Sequence, residues 1–295
     1  MNLVKSTWRR ARQELGDFVS YFLLPLPGLL LPWHLAWPLY HKLAARRWIF
    51  RSRVEAAGNE AGRTLGIAAP DVWRHRYRLV LIVDMLDFWI SLLQPWRWQR
   101  LLQQNGGWPK QRPLVVIGTH WGPAFLTLRS LHRAGLAPHY VIRKAPFGEF
   151  RGRRVWQFYI LLRRMHLERL FPGKRYEPGG FPRRLIHALR SGECILALID
   201  VPAERPADGR RIQVFGRHVF VQPGIIGPAI RHNAALVTYK LGLDFSTGRR
   251  LLEIHPVVEH LNAEQAWQHL ADFMARTLEQ DPAQWQLWQV ADFFQ

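Results

Sequence analysis

Residues 114–123 read LVVIGTHWGP, and this segment is the strongest indication of the fold class. Its first half, residues 114–118, is apolar and ends at a glycine, a pattern that predicts a short buried strand. Residues 126–134 follow with helical spacing, so the turn between them joins a strand to a helix. His120 in this turn falls at the carboxyl end of the predicted strand, where open α/β sheets bind their ligands.

The rest of the chain continues this alternation of strands and helices. Apolar runs predict buried strands at 140–142, 194–199 and 234–241, and a hairpin at 212–221. Helical patterns predict helices at 54–66, 72–94, 151–165, 181–189 and 223–232, and a further helix from Asn262, which has capping-box spacing to Gln265. Strands that alternate with helices predict an α/β fold with a central mixed sheet flanked by helices.

The N-terminal part of the chain carries a long uncharged segment. Residues 18–41, FVSYFLLPLPGLLLPWHLAWPLYH, lack Asp, Glu, Lys and Arg and match the roughly 20 residues that cross a hydrocarbon core. Four prolines interrupt the segment, and each interior proline removes a helical hydrogen bond, which disfavours a straight span. Basic residues flank both ends, so we expect a kinked helical segment that enters the membrane shallowly from the cytoplasmic face. The alternative is a pair of buried core helices.

The chain divides into three predicted parts. Residues 1–53 hold the apolar membrane-anchoring segment with its basic flanks. Residues 54–112 form a helical lead-in, which ends in a predicted loop at 103–112 that contains Gly and Pro. Residues 113–295 form the α/β domain.

The chain is strongly basic. Its 295 residues carry a formal net charge of +19, and 35 of the 41 basic residues are arginine. Such a charge needs anionic neighbours, which are nucleic acid, an anionic membrane face or an acidic protein. RNP, KH and zinc-finger signatures are absent from the sequence, and the uncharged segment favours a membrane over nucleic acid. The single cysteine, Cys194, excludes an internal disulfide framework and a Cys-rich zinc module.

Common catalytic signatures are also absent: the sequence has no G-x-S-x-G, Walker A, G-x-G-x-x-G or H-E-x-x-H motif. We predict neither a metal nor a cofactor. His120 is the leading candidate for chemistry, because a helix N-terminus favours the neutral imidazole that a general base requires. The alternative is a histidine that only caps a turn. Asp84 and Asp87 are three residues apart on one helix face, which we interpret as the wet side of that helix; the alternative is a pair of functional carboxylates.

Six blocks in chain order resemble the lysophospholipid acyltransferase superfamily, and most closely its late lipid A acyltransferase branch. They are His120-Trp-Gly after the first strand, Arg143 after the second, Arg163-Arg164, the LRSGE…ID segment at 189–200, the VFGR…PG segment at 214–224, and PAQWQLW at 282–288. The resemblance covers residues 113–288. Phe125 stands where the family's H-x4-D/E signature has its acidic residue, and Val201 stands where the family has glutamine.

The resemblance implies a bacterial enzyme on the cytoplasmic face of the inner membrane. It would transfer a fatty acyl group from an acyl carrier protein or acyl-CoA thioester to a lipid-like or other amphiphilic acceptor. His120 would remove the proton of the acceptor hydroxyl, and Asp200 or Glu149 would supply the missing carboxylate. The residues implied for substrate binding are Arg143, Arg163, Arg164, Asp200 and Gly224, and those implied for an acyl pocket are Trp121, Phe125 and Phe147. The alternative is a protein of this fold that binds acyl chains or acyl carrier protein without turnover.

Overall fold

The computed structural model of the protein describes residues 2–66, 70–141, 152–176, 181–201, 203, 209–222, 224–258 and 262–288. The helices in these ranges are α1 (Asn2–Phe18), α2 (Leu26–Leu30), α3 (Trp33–Ala44), α4 (Arg51–Leu65), α5 (Asp71–Leu93), α6 (Trp98–Leu101), α7 (Phe125–Arg133), α8 (Arg154–Leu170), α9 (Phe181–Arg190), α10 (Ile226–Arg231) and α11 (Ala263–Gln280). The strands are β1 (Leu102–Asn105), β2 (Leu114–Gly118), β3 (His139–Val141), β4 (Arg175–Tyr176), β5 (Cys194–Leu198), β6 (Arg210–Val214), β7 (Arg217–Val221), β8 (Ala235–Leu243) and β9 (Arg250–Ile254). A π-helical turn (Val19–Leu23) follows α1, and a 3-10 turn (Pro282–Gln284) follows α11.

Seven strands form one mixed sheet in the order β1-β9-β8-β2-β5-β3-β4. Neighbouring strands run parallel except β8 and β9, which are antiparallel. β6 and β7 form a separate antiparallel hairpin, as predicted for residues 212–221. The structure thus confirms an α/β fold with a mixed sheet and helices.

The central strand β2 is covered on both faces. Val115 and Ile117 pack into a core with α11, whereas Leu114 and Val116 pack into a second core with α5 and α7. All five residues of the strand are buried, which explains why its sequence is apolar throughout instead of alternating. This double cover fixes the position of the turn that follows the strand.

The N-terminal segment packs on α5 and does not form a separate tail. Ala36 and Tyr40 of α3 are fully buried in the core that also contains β2 residues. The Tyr40 hydroxyl donates to the Pro25 carbonyl at 3.0 Å and accepts from the Gly28 N–H at 2.7 Å, which ties α2 to α3. None of the helices in the described ranges combines the length and the apolarity needed to cross a bilayer. Part of residues 18–41 therefore serves as protein core, and membrane association stays a prediction.

One interpretation of the lead-in is right in part and another is wrong. Residues 106–112 form a loop, as predicted, but residues 103–105 belong to β1, which pairs with β9 at the edge of the sheet. Asp84 and Asp87 do not lie on a wet face, because both are buried. Asp87 forms an ion pair with Arg250 of β9, and Asp84 pairs with Arg163 of α8 at 3.1 Å. Arginines from other elements therefore balance the charges of these two buried carboxylates.

The other predicted helices and strands are present, with their ends displaced by a few residues. The capping box at the start of α11 is confirmed: the Asn262 side chain accepts from the Gln265 N–H at 2.9 Å, and the Gln265 side chain accepts from the Asn262 N–H. Strand β9 was not predicted, although it pairs with both β1 and β8.

Candidate active site

His120 and Asp200 meet because β2 and β5 are parallel neighbours. Gly118 at the end of β2 is in register with Leu198 at the end of β5. His120 and Asp200 each follow two residues later, so both reach the carboxyl edge of the sheet side by side. This is the edge at which α/β sheets bind their ligands.

The Asp200 carboxylate holds His120 through both of its oxygens. Oδ1 lies 2.8 Å from His120 Nδ1, and Oδ2 accepts from the backbone N–H of His120 at 2.7 Å. The Asp200 side chain is fully buried, whereas 33% of the His120 side chain is exposed. Among the residues that the structure describes, Nε2 of His120 has no hydrogen-bonding partner, so this nitrogen can exchange a proton with a bound molecule.

A further hydrogen bond to Asp200 comes from the C-terminal part of the chain. The indole N–H of Trp285 donates to Asp200 Oδ2 at 2.9 Å, and Trp285 is itself buried. With no exposed surface and three donors around its carboxylate, Asp200 orients His120. The Asp200 side chain thus faces His120 and Trp285 and not solvent, and its contact with a substrate stays a prediction.

The contact of Trp285 with Asp200 could not be predicted from the sequence. The resemblance of residues 282–288 to a family motif does not indicate which side chain contacts the carboxylate. Trp285 and Asp200 are 85 residues apart, so their contact depends on the packing of the complete chain.

The same C-terminal segment fastens the turn that carries His120. The Gln286 N–H donates to the His120 carbonyl at 2.8 Å, and the Gly122 N–H donates to the Gln284 carbonyl at 2.9 Å. Gly122 has a φ of +69°, and a side chain there would collide with the Leu241 carbonyl of β8. Only glycine fits this position, which allows the turn to lie directly against the sheet.

The pKa of His120 results from opposing effects. Burial lowers it, but the carboxylate of Asp200 raises it through both its charge and its hydrogen bond, and the charge of Asp84 adds to this increase. The pKa of His120 consequently lies above its ordinary value of 6.5. The ring is therefore a stronger base than a free histidine.

The two described arginines of the predicted substrate site differ in their surroundings. The Arg163 guanidinium donates to Asp84 at 3.1 Å and to the Tyr159 hydroxyl at 3.3 Å, and it lies 5.1 Å from the centre of the Phe125 ring. These contacts place Arg163 in an internal ion pair. Arg164 is half-buried and has no ion pair within the described ranges, so it is the arginine that remains available to an anion.

Gly224 follows the β6–β7 hairpin, whose end is hydrogen-bonded to the segment that carries Asp200. The Gln222 N–H donates to the carbonyl of Val201, the neighbour of Asp200, at 3.0 Å. Gly224 follows two residues later, with a φ of +44° and its backbone exposed. The remaining candidates Arg143, Phe147 and Glu149 lie outside the described residues.

Trp121 and Phe125, predicted to line an acyl pocket, are core residues in the structure. Phe125 is 2% exposed and packs on Phe88 and His166, with ring centres 5.6 and 5.9 Å away. Trp121 is 4% exposed, and its indole N–H donates to the Asp281 carbonyl at 3.1 Å. The two rings belong to different core clusters and do not face each other across one groove.

Two clefts open elsewhere on the surface. One, of about 430 Å³, lies between Trp98 and Arg133, and the other, of about 410 Å³, lies between Trp121 and Phe245. Neither cleft has His120 in its lining. Of the residues predicted to line an acyl pocket, Trp121 borders the second cleft and Phe125 borders neither cleft.

Comparison of the chain with known protein families and with curated proteins finds no match. A functional interpretation therefore depends on the geometry of the site. The buried carboxylate of Asp200 on Nδ1 of His120, together with the available Nε2, corresponds to the base and its orienting acid in a nucleophile–base–acid triad. Such a pair can remove a proton from a hydroxyl or an amine. Within the described residues, no group of three or more His, Cys, Asp or Glu side chains is placed to hold a metal ion.

Proposed function

We propose that the protein is a membrane-associated acyltransferase. It moves a fatty acyl group from a thioester donor, acyl carrier protein or acyl-CoA, to a hydroxyl or amine of a lipid-like acceptor. The observation that carries the proposal is the His120–Asp200 pair, with Nδ1 2.8 Å from a buried carboxylate and one third of the histidine side chain exposed. No described Ser, Thr or Cys side chain hydrogen-bonds to His120, which supports a nucleophile that comes from the substrate.

The first step is activation of the acceptor. Asp200 accepts a hydrogen bond from Nδ1–H of the neutral His120 ring and so leaves Nε2 with its lone pair. Nε2 takes the proton of the acceptor hydroxyl while the oxygen attacks the carbonyl carbon of the thioester. The ring becomes an imidazolium, and the buried carboxylate of Asp200 stabilises its positive charge.

The second step is release of the thiol. The tetrahedral intermediate re-forms its carbonyl and breaks the carbon–sulfur bond, and the thiolate takes the proton from Nε2 of His120. The products are the acyl ester and the free thiol of the donor, and the histidine returns to its neutral form. The proton that His120 takes from the acceptor is the one that it gives to the thiolate, so the reaction needs no other acid or base.

The charge of the chain supports anionic partners for this chemistry. The net charge of +19 complements an acidic carrier protein, the phosphates of coenzyme A and an anionic bilayer. Of the two described arginines that are predicted to bind substrate, Arg164 on α8 is the one without an ion pair to a described residue. We assign the protein to the cytoplasmic face of a bacterial inner membrane on these grounds and on the resemblance of residues 113–288.

The direct test is acyl transfer from a radiolabelled acyl carrier protein or acyl-CoA to a crude bacterial lipid extract. Wild-type protein is expected to form labelled lipid, and His120→Ala is expected to lose most of this activity. His218→Ala is the matched control, because His218 is an exposed histidine on the β6–β7 hairpin.

Equal transfer by His120→Ala and wild type would overturn the acid–base mechanism. Wild-type protein that transfers no acyl group to any fraction, yet retains labelled donor on a column, would replace the proposal with acyl binding without turnover.

A further inference from the structure

One face of α8 carries large apolar side chains toward solvent. Phe158, Leu161 and Met165 follow each other at three and four residues and therefore share a face. They are 51%, 52% and 60% exposed. On the opposite face Tyr159 and His166 are buried. Three aligned apolar side chains on the outside of a helix indicate a surface that binds a partner.

Two arginines extend this line at its ends. Arg154 lies four residues before Phe158, Arg169 lies four residues after Met165, and both are exposed. Neither has an ion pair with a carboxylate in the part of the chain that the structure describes. An apolar centre with a cation at each end matches the surface of an anionic bilayer, because apolar groups enter the acyl region while arginines reach the phosphates. We call these five residues the α8 stripe.

The apolar surface continues onto the N-terminal segment. The ring of Phe22 stacks on Phe158, with centres 6.1 Å apart, and on Phe18, with centres 5.6 Å apart. Phe18 and Leu23 are themselves 43% and 41% exposed. The apolar surface therefore runs from the end of α1 across the π-helical turn to α8.

Two carboxylates of α1 hold the helices together. Glu14 accepts from the backbone N–H groups of Arg154 and Val155 at 2.7 and 2.9 Å and so caps the start of α8. Asp17 forms an ion pair with Arg153. Because α1 is fastened to the first turn of α8, their exposed apolar side chains form one rigid surface.

We infer that the α8 stripe, together with Phe18 and Leu23, docks on the surface of an anionic phospholipid bilayer. The net charge of +19 favours this partner over a neutral one. The inference rests on the membrane part of the proposed function and extends the contact from the N-terminal segment into the α/β domain. It does not require acyl transfer.

The test measures flotation of the protein with vesicles of phosphatidylglycerol and phosphatidylcholine. The triple variant Phe158→Ser/Leu161→Ser/Met165→Ser is expected to bind about tenfold more weakly than wild type, because three apolar side chains leave the contact. The matched control is Val72→Ser. This side chain is 64% exposed and lies in the first turn of α5, away from the α5 residues that contact α8.

A variant that carries a fluorescent dye on α8 reports the contact with the bilayer directly, without a comparison of affinities. Cys194 is buried, so a thiol-reactive dye added to Leu161→Cys marks the new site selectively. Emission of this dye is expected to shift to the blue when phosphatidylglycerol vesicles are added, whereas dye on Val72→Cys is expected to keep its wavelength.

Each result decides a separate question. One outcome is that wild-type protein floats, the dye on Leu161→Cys keeps its wavelength and the triple variant binds as wild type does. This outcome would overturn the α8 contact but not the proposed membrane association. Wild-type protein that does not float would overturn both. A change of molar mass in solution caused by the triple variant, with flotation unchanged, would make the stripe a protein–protein interface and overturn the inference.

Discussion

At the level of single residues, the proposed role of His120 as a base depends on Asp200. The carboxylate contacts Nδ1 and the backbone N–H of His120, so it selects the tautomer and holds the ring in place. Asp200→Asn is expected to reduce kcat by ~10²–10⁴, since loss of an orienting carboxylate has an effect of this size in a serine protease. The measurement is the initial rate of acyl transfer. Asp272→Asn, an exposed carboxylate on α11, is the control, and full activity of Asp200→Asn would contradict the assigned role.

The raised pKa of His120 predicts the pH dependence of the reaction. A general base works in its neutral form, so kcat/KM is expected to rise with pH through a pKa above the ordinary value of 6.5. Asp200 and Asp84 both raise this pKa. In the profile of kcat/KM against pH, Asp84→Asn is therefore expected to move the rise on the acid side to lower pH without changing its steepness. The same upward shift stabilises the folded protein at low pH, and this contribution is lost as pH rises through the pKa of the folded state. If Asp84→Asn leaves the pH of this rise unchanged, Asp84 does not affect the pKa of His120.

Phe125 stands at the position where the H-x4-D/E signature has an acidic residue, so substitutions of Phe125 test whether that residue could be tolerated there. Phe125 packs on Phe88 and His166 inside a closed cluster, so Phe125→Asp would bury a charge there. Arg163 lies 5.1 Å from the ring centre, but it already pairs with Asp84. We expect Phe125→Asp to lower the free energy of unfolding by about 3 kcal/mol or more, and Phe125→Leu by about 1–2 kcal/mol. Urea unfolding measures both, and a Phe125→Asp variant with wild-type stability and increased activity would refute this expectation.

At the scale of elements, one buried ion pair joins α5 to β9. Asp87 and Arg250 are both fully buried, and the Arg250 guanidinium also donates to the Gly248 carbonyl at 2.8 Å and lies over the Trp33 ring. Arg250→Met is expected to reduce stability by about 3–5 kcal/mol, because Asp87 would remain buried without a counter-charge.

Two further variants control for this effect. Asp87→Leu combined with Arg250→Met is expected to recover much of the loss, because no unpaired charge remains. Arg51→Ala removes an exposed pair with Glu55 and is expected to change stability by about 1 kcal/mol or less. An Arg250→Met variant as stable as Arg51→Ala would show that the buried pair does not hold these elements together.

Elements with a strong local pattern were predictable from sequence, and those defined by distant partners were not. Strand β2 is apolar because both of its faces are covered, and α11 begins at a capping box. Strand β9 alternates buried and half-buried residues and is recognised only beside β8. The burial of Asp84 and Asp87 on α5 could not be predicted, because the arginines that pair with them come from elements far along the chain.

At the scale of the whole molecule, the N-terminal segment is part of the core. Ala36, Trp37 and Tyr40 are buried among residues of α5 and the sheet, and the Trp37 indole N–H donates to the Ser246 carbonyl after β8 at 3.2 Å. Deletion of residues 1–50 is therefore expected to abolish the cooperative unfolding transition and to produce aggregated protein. The exposed-residue variant Trp8→Ser/Leu15→Ser is expected to unfold as wild type does, because these side chains are 72% and 64% exposed. Thermal unfolding followed by circular dichroism measures both, and a deletion variant that unfolds cooperatively would contradict this placement.

The α/β class, the strand–turn–helix unit around residues 114–123 and the place of His120 at a strand end could all be predicted from the sequence. These features follow from local apolar patterns, glycine and helical spacing, which act within a few residues. The carboxylate that contacts the histidine could be identified only in the folded structure. His120 and Asp200 are 80 residues apart, and they meet because Gly118 of β2 is in register with Leu198 of β5. Strand order and register arise from the packing of the whole core, so no local pattern in either segment contains them.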